Sequence, residues 1–152
     1  MTLSLDFKKR AIATFIKTLE GQLQNLNAGQ RAEITDAEED DIDSNSLVES
    51  TREQRLFEAG QLTDRSDFIS RELEILRSIQ THEVMKQVEK GALIRTNLGF
   101  FLIGPAVEHI TVEGVTVTGI SDQSPVYKKM ESLKKKAEFH FENREYIIFE
   151  IV

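Results

Sequence analysis

At 152 residues, with 39% hydrophobic and 30% charged side chains, the chain suits an elongated element joined to a small domain better than one compact globule. Its net charge of −7 argues against a general binder of nucleic acid or anionic membrane, since phosphate attraction needs clustered Lys and Arg. Cysteine is absent, which excludes disulfides, thiol chemistry and Cys-ligated zinc. No run approaches the roughly 18 apolar residues of a membrane span, and the start MTLSLDFKKR lacks a signal-peptide core, so the expected location is cytoplasmic, with no membrane partner.

Residues 3 to about 34 carry helical spacing. Ile12, Ile16, Leu19, Leu23 and Leu26 alternate in steps of four and three, a heptad seam, and Phe7 and Phe15 extend its apolar side. Asn25 and Gln30 soften the far end, so the helix turns polar as it approaches the next segment. That segment, Glu33 to Ser46, packs seven carboxylates into eleven residues (Glu33, Asp36, Glu38, Glu39, Asp40, Asp41 and Asp43) with no Lys or Arg between them. With helical stretches on both sides, it reads as the acidic tip of a helical hairpin, although an acid run on its own is equally compatible with a solvated loop.

A second helical stretch is expected from about Leu47 to Val88, with Leu62, Ile69, Leu73, Leu76 and Ile79 on its apolar side. Gly60 falls inside it, so either one bent helix or two consecutive helices satisfies the pattern, with Thr63 or Asp64 capping a restart. Arg71, Glu72, Glu74 and Arg77 read as a solvated face. At 1.5 Å per residue, arms of this length reach on the order of 50 to 60 Å. Such a pair presents its tip as a probe, or serves as a dimerising coiled coil.

The periodicity changes at Gly91. Ala92–Thr96 and Phe100–Ile103 read as strands flanking an Asn97-Leu98-Gly99 turn, and Gly104-Pro105 ends the second. Ile110–Thr118 alternates apolar and polar residues, with Gly114 as a bend or turn. Ser124-Pro125 suits the cap and first turn of a helix carrying Tyr127, Met130 and Leu133 and ending at Lys134-Lys135-Lys136. Phe139–Phe141 and Tyr146–Ile151 complete the set around a tight turn at Glu142-Asn143-Arg144. The expected fold class is α+β, with a helical hairpin over 1–88 and a small antiparallel sheet with one helix over 89–152.

Signals for a stand-alone enzyme are missing. His82, His109 and His140 stand at no metal-ligand spacing, and there is no phosphate-binding glycine loop, nucleophile elbow or zincin motif. The acid run has no glycine at the turn that a calcium loop requires.

Four segments of the second half, taken together, resemble one family. Val88-Glu89-Lys90-Gly91-Ala92, Leu102-Ile103-Gly104-Pro105, Ile120-Ser121-Asp122-Gln123-Ser124-Pro125-Val126 and Tyr146-Ile147-Ile148 are similar, in order and spacing, to the carboxy-terminal domain of bacterial transcript-cleavage factors of the Gre type (GreA/GreB-like, with inhibitory homologues). The likeness covers roughly residues 88–152, with a two-helix arm ahead of it. It implies an FKBP-like second domain that grips the rim of the RNA polymerase secondary channel, and a hairpin that enters the channel.

By the same resemblance, acidic tip residues hold a second Mg2+, shared with the polymerase active site and not bound by this chain alone. Mg2+ takes hard oxygen ligands, and a second metal activates water for cleavage of backtracked RNA. The protein would then be a monomeric accessory factor, not an enzyme itself, and would touch nascent RNA only indirectly. Asp41 and Asn45 match the family's tip, but Ser44 stands where the family carries Glu. Asp43, one residue earlier, substitutes for it in one reading, and Glu39 with Asp40 form the working pair in another. Because some relatives with acidic tips block the channel and inhibit, stimulation of cleavage and channel-occupying inhibition both remain open. Ser124, Pro125, Lys128 and Lys129 are the implied polymerase-binding positions, while the lysines alone read equally well as a solvated helix end.

Overall fold

A computed structural model describes residues 2–39 and 46–152, with side chains placed for 2–28, 56, 60, 61 and 63–152. Helix α1 spans Leu5–Glu39. Ser4 caps it: its Oγ accepts the Phe7 N–H at 3.1 Å, and its carbonyl accepts the Lys8 N–H at 3.0 Å. Asp6 in the first turn complements the positive end of the helix dipole. Helix α2 spans Ser46–Ser78 and runs through Gly60 without a break. A Cβ built at Gly60 would meet nothing within 4 Å, so this glycine costs helix propensity but serves no close contact.

The chain divides into two compact units, Thr18–Arg71 and the combination of Met1–Lys17 with Glu72–Val152. The first is the antiparallel helical pair. Leu19 and Ile69 are buried in it, and the Ser66 hydroxyl lies 3.5 Å from Asn27 Oδ1 across the pair.

The second unit is built on a six-stranded sheet: β1 (Leu93–Thr96), β2 (Gly99–Gly104), β3 (Ile110–Val112), β4 (Val115–Ser121), β5 (Glu138–Phe141) and β6 (Arg144–Ile151), in the order β3-β4-β2-β1-β6-β5. Helix α3 (Pro125–Met130) lies between β4 and β5 in the chain. Two hairpins close through paired left-handed residues, Glu113 and Gly114 (φ 52° and 80°) and Glu142 and Asn143 (φ 51° and 62°). This is the geometry whose twist matches that of the flanking strands. Asn97 fastens the β1–β2 turn to β6: its Oδ1 accepts the Ile147 N–H at 2.7 Å, and its Nδ2 donates to Glu145 O at 3.0 Å.

One pairing departs from the antiparallel expectation. β2 and β4 run parallel, from Phe100 opposite Val117 to Gly104 opposite Ser121. After Gly104 the chain crosses the sheet: a Cβ at Gly119 would sit 2.6 Å from Pro105 O and 2.7 Å from Val107 Cγ2. That crossing delivers β3 to the far side of β4, so β4 returns beside β2 in the same direction. Gly119 leaves the space the crossing loop fills.

A hydrophobic core joins the sheet to α3, formed by Val88, Ala92, Ile94, Ile103, Ile120, Tyr127, Met130, Phe139, Ile148 and Ile151. Phe139 stacks on Tyr146 with ring centroids 4.7 Å apart and planes 7° apart. The start of α1 belongs to this unit too. Leu3, Phe7, Ala11, Ile12 and Phe15 are buried, Phe7 meets Phe100 at 6.2 Å between centroids, and Arg10 pairs with Glu113.

Two helices end earlier than their periodicity predicts. α2 stops at Ser78, ten residues short of Val88. Gln80 holds the chain out of the helix there: its Oε1 accepts the N–H groups of His82 and Glu83, and its Nε2 donates to Glu83 O. α3 stops at Met130, because Ser132 turns left-handed (φ 65°) and its N–H goes to Val88 O at 2.8 Å. Leu133 and Lys134-Lys135-Lys136 therefore lie beyond the helix and not on it.

Candidate functional site

Asp40, Asp41 and Asp43 lie outside the described residues. Glu39 is the last residue of α1, and its side chain is likewise undescribed. Among the described residues, no group of three or more His, Cys, Asp or Glu side chains could hold a metal ion, and no helix is long and apolar enough to cross a membrane.

The second set, Ser124, Pro125, Lys128 and Lys129, is brought together on α3. Ser121, at the end of β4, begins the turn: its Oγ accepts the Gln123 N–H at 3.1 Å, and its carbonyl accepts the Ser124 hydroxyl at 2.7 Å. The Ser124 hydroxyl in turn accepts the Tyr127 N–H at 3.4 Å, and Pro125 fills the first helical turn, where no N–H is needed. Ser-x-x-Ser-Pro is thus a capping turn, with Tyr127 and Met130 facing the core and Lys128 and Lys129 exposed. Burial pushes the Tyr127 hydroxyl above its ordinary pKa, and the carboxylates of Glu131, Asp122 and Glu89 push it the same way. It is therefore a neutral hydroxyl throughout the physiological range.

The four segments that carry the family resemblance converge here. Val88 and Ala92 precede β1, Ile103 lies near the end of β2, Ile120 leads out of β4, and Ile148 lies in β6. All five are buried in one core, with Val126 and Tyr146 packed against it. Backbone bonds lock them together: Val88 N–H to Leu133 O at 2.8 Å, Ser132 N–H to Val88 O at 2.8 Å, and Gly91 N–H to Ile103 O at 2.8 Å. The motif positions therefore specify the packing of the sheet and present α3 on its surface.

Two buried charges went unflagged by the sequence reading. Glu72, expected on a solvated face, is 7% exposed and accepts the Ala106 N–H at 2.7 Å, which anchors the crossing loop. Lys8 is fully buried, and its Nζ donates to Val152 O at 3.3 Å. Burial lowers its pKa from 10.5 to about 8, against the opposing pull of Glu89. A signal for both was present: Glu72 is in phase with Ile69 and Leu76, and Lys8 with Ile12 and Phe15, so each charge stands on an apolar stripe. Elsewhere, burial of Glu150 raises its pKa, but the Arg95 hydrogen bond at 2.7 Å, the Leu3 N–H at 3.1 Å and the charges of Arg95 and Lys135 outweigh this and hold it below the ordinary carboxylate range.

No protein-family profile matches the chain, and no curated protein matches it. Among solved structures it is similar to GreA factor homolog 1 (Gfh1) of Thermus thermophilus, at 16% identity over 95% of this chain and 96% of that one, with a TM-score of 0.35. A second structure of the transcription factor Gfh1 is similar at 15% identity over 94% of each chain, with a TM-score of 0.34.

Proposed function

We propose that this protein is a Gre-like accessory factor of bacterial RNA polymerase, acting in the cytoplasm as a monomer. The observation that carries the reading is the convergence of the four resembling segments in one core that presents the Ser124-Pro125 turn and α3, behind two long helices and a run of seven carboxylates. Ser124, Pro125, Lys128 and Lys129 form the polymerase contact. Ser124 and Pro125 set the angle of the helix, and the two lysines supply positive charge.

In this reading the hairpin enters the secondary channel, and Asp41 and Asp43 complete a Mg2+ site whose other ligands belong to the polymerase. Glu39 and Asp40 are the alternate pair. Hard carboxylate oxygens are the donor set Mg2+ takes, and the metal would polarise the attacking water. The chain's own residues position the charge, and the reaction belongs to the polymerase. Because Ser44 replaces the family's tip glutamate, channel occupation with inhibition is the companion reading.

Co-elution tests the polymerase contact. The wild-type protein should travel with core polymerase on size exclusion at 0.1 M salt, and Lys128→Glu/Lys129→Glu should weaken that association at least tenfold while melting normally. Failure of the wild type to associate overturns the reading.

A further inference from the structure

Charge is divided unevenly between the two units. Thr18–Arg71 holds 13 acidic and 5 basic residues, net −8, whereas the remainder holds 13 acidic and 14 basic, net +1. Within that remainder the positive charge is concentrated. Lys128, Lys129, Lys134, Lys135 and Lys136 fall in nine residues, and all five are exposed. Antiparallel pairing of Gln87 with Lys134, with Val88 bonded to Ser132 and Leu133, brings a second exposed pair, Lys86 and Lys90, to the same edge. None of the seven lysines makes an ion pair among the described residues; the acids between them in sequence are Glu89, Glu131 and Glu138, Asp122 acts on the neighbouring Tyr127, and the charge of Lys135 acts on Glu150.

We infer that this lysine edge binds the phosphate backbone of a nucleic acid, a partner outside the polymerase reading. The composition of the edge decides between a nucleic acid and an acidic protein. Protein interfaces are depleted in lysine and depend on buried aromatic or aliphatic anchors. Here the apolar residues between the lysines point inward: Met130 is fully buried, Tyr127 is 7% exposed, and no large apolar side chain in 128–138 is exposed. Two large exposed apolar side chains lie by the edge: Val84, 55% exposed, two residues before Lys86, and Phe149, 37% exposed, next to Ile148, whose carbonyl accepts the Lys136 N–H. The Arg95 guanidinium, 5.0 Å from the ring centroid, covers a face of Phe149. Ammonium groups on flexible stems, with no arginine fork among them, suit phosphates as point charges. The net charge of −7 does not oppose this strongly, because charges beyond about 10 Å are screened at 0.1 M salt.

The test titrates the full-length protein into a labelled single-stranded oligouridylate, with polyglutamate as the competing acid, at 50 to 200 mM salt. With three to five phosphates engaged, log K should fall against log salt with a slope of about −2 to −3.5. Lys134→Glu/Lys135→Glu/Lys136→Glu should cut affinity at least tenfold and flatten the slope. Lys128→Gln/Lys129→Gln, milder and on a capped helix, provides the same comparison if the triple variant misfolds. No binding at 50 mM salt, binding indifferent to both variants, or polyglutamate competing as well as unlabelled RNA would each overturn the inference. Because polymerase is absent, the result is independent of the polymerase contact.

Discussion

Replacing Lys8 by Met should stabilise the protein at neutral pH. The Lys8 ammonium is fully buried on α1, and among the described residues it donates to Val152 O, which also accepts the Leu93 N–H at 2.9 Å. Removing the amine therefore leaves that oxygen with the Leu93 N–H as a donor. Lowering the pKa from 10.5 to about 8 means that the folded state disfavours the charge. At 1.36 kcal/mol per unit the full shift, in which the Glu89 attraction is already included, is worth about 3 kcal/mol, and solvent screening reduces the expected net gain to about 1–2 kcal/mol. The unfolded chain binds more protons than the folded one between pH 8 and 10.5, so wild-type stability rises across that window and the penalty is complete below pH 8. Urea unfolding of both proteins should show Lys8→Met ahead by a constant margin at pH 6–8 and the margin closing by about pH 10.5. A variant that is less stable at pH 7, with a gap indifferent to pH, would refute the reasoning and make the ammonium a net tie.

Gly119→Ala would place a Cβ 2.6 Å from Pro105 O, a backbone atom that cannot step aside, so a loss of about 2–4 kcal/mol in thermal or urea unfolding is expected. Glu72→Ala strands the Ala106 N–H and should cost about 1–3 kcal/mol, with Glu72→Gln recovering much of it by keeping an acceptor; equal losses in both would assign the effect to charge. Glu150, held below its ordinary pKa with Arg95 and Leu3 as partners, contributes stability present above about pH 4.5 and lost as pH falls through its folded pKa. An acid titration of Glu150→Gln should therefore lack that component.

Local rules made most of the fold legible in advance. The heptad steps along α1, the Ser-Pro start of α3 and the turns at Gly114 and Asn143 each follow from helix spacing, capping or left-handed propensity, and each sits where expected. What escaped was non-local. α2 ends at Ser78 because Gln80 and the pairing of Val88 with residues 132–133 outcompete a helical pattern that continues in the sequence. The parallel β2–β4 pair depends on a crossing loop that fits only over Gly119. Glu72 reads as solvent-facing by residue type, although its phase with Ile69 and Leu76 puts it inside. In the candidate site, the Ser124-Pro125 turn was readable from two residues. The lysine run reads as a helix end in the sequence, because the break after Met130 depends on a backbone bond between Ser132 and the distant Val88.

The most direct measurement adds the purified protein to stalled, backtracked elongation complexes at neutral pH with Mg2+ and follows the labelled RNA. The account predicts polymerase association together with either shortened RNA, abolished by Asp41→Asn/Asp43→Asn while association survives, or unshortened RNA with slowed elongation. A protein that leaves the RNA unshortened and elongation unchanged, and does not associate with polymerase, would contradict it.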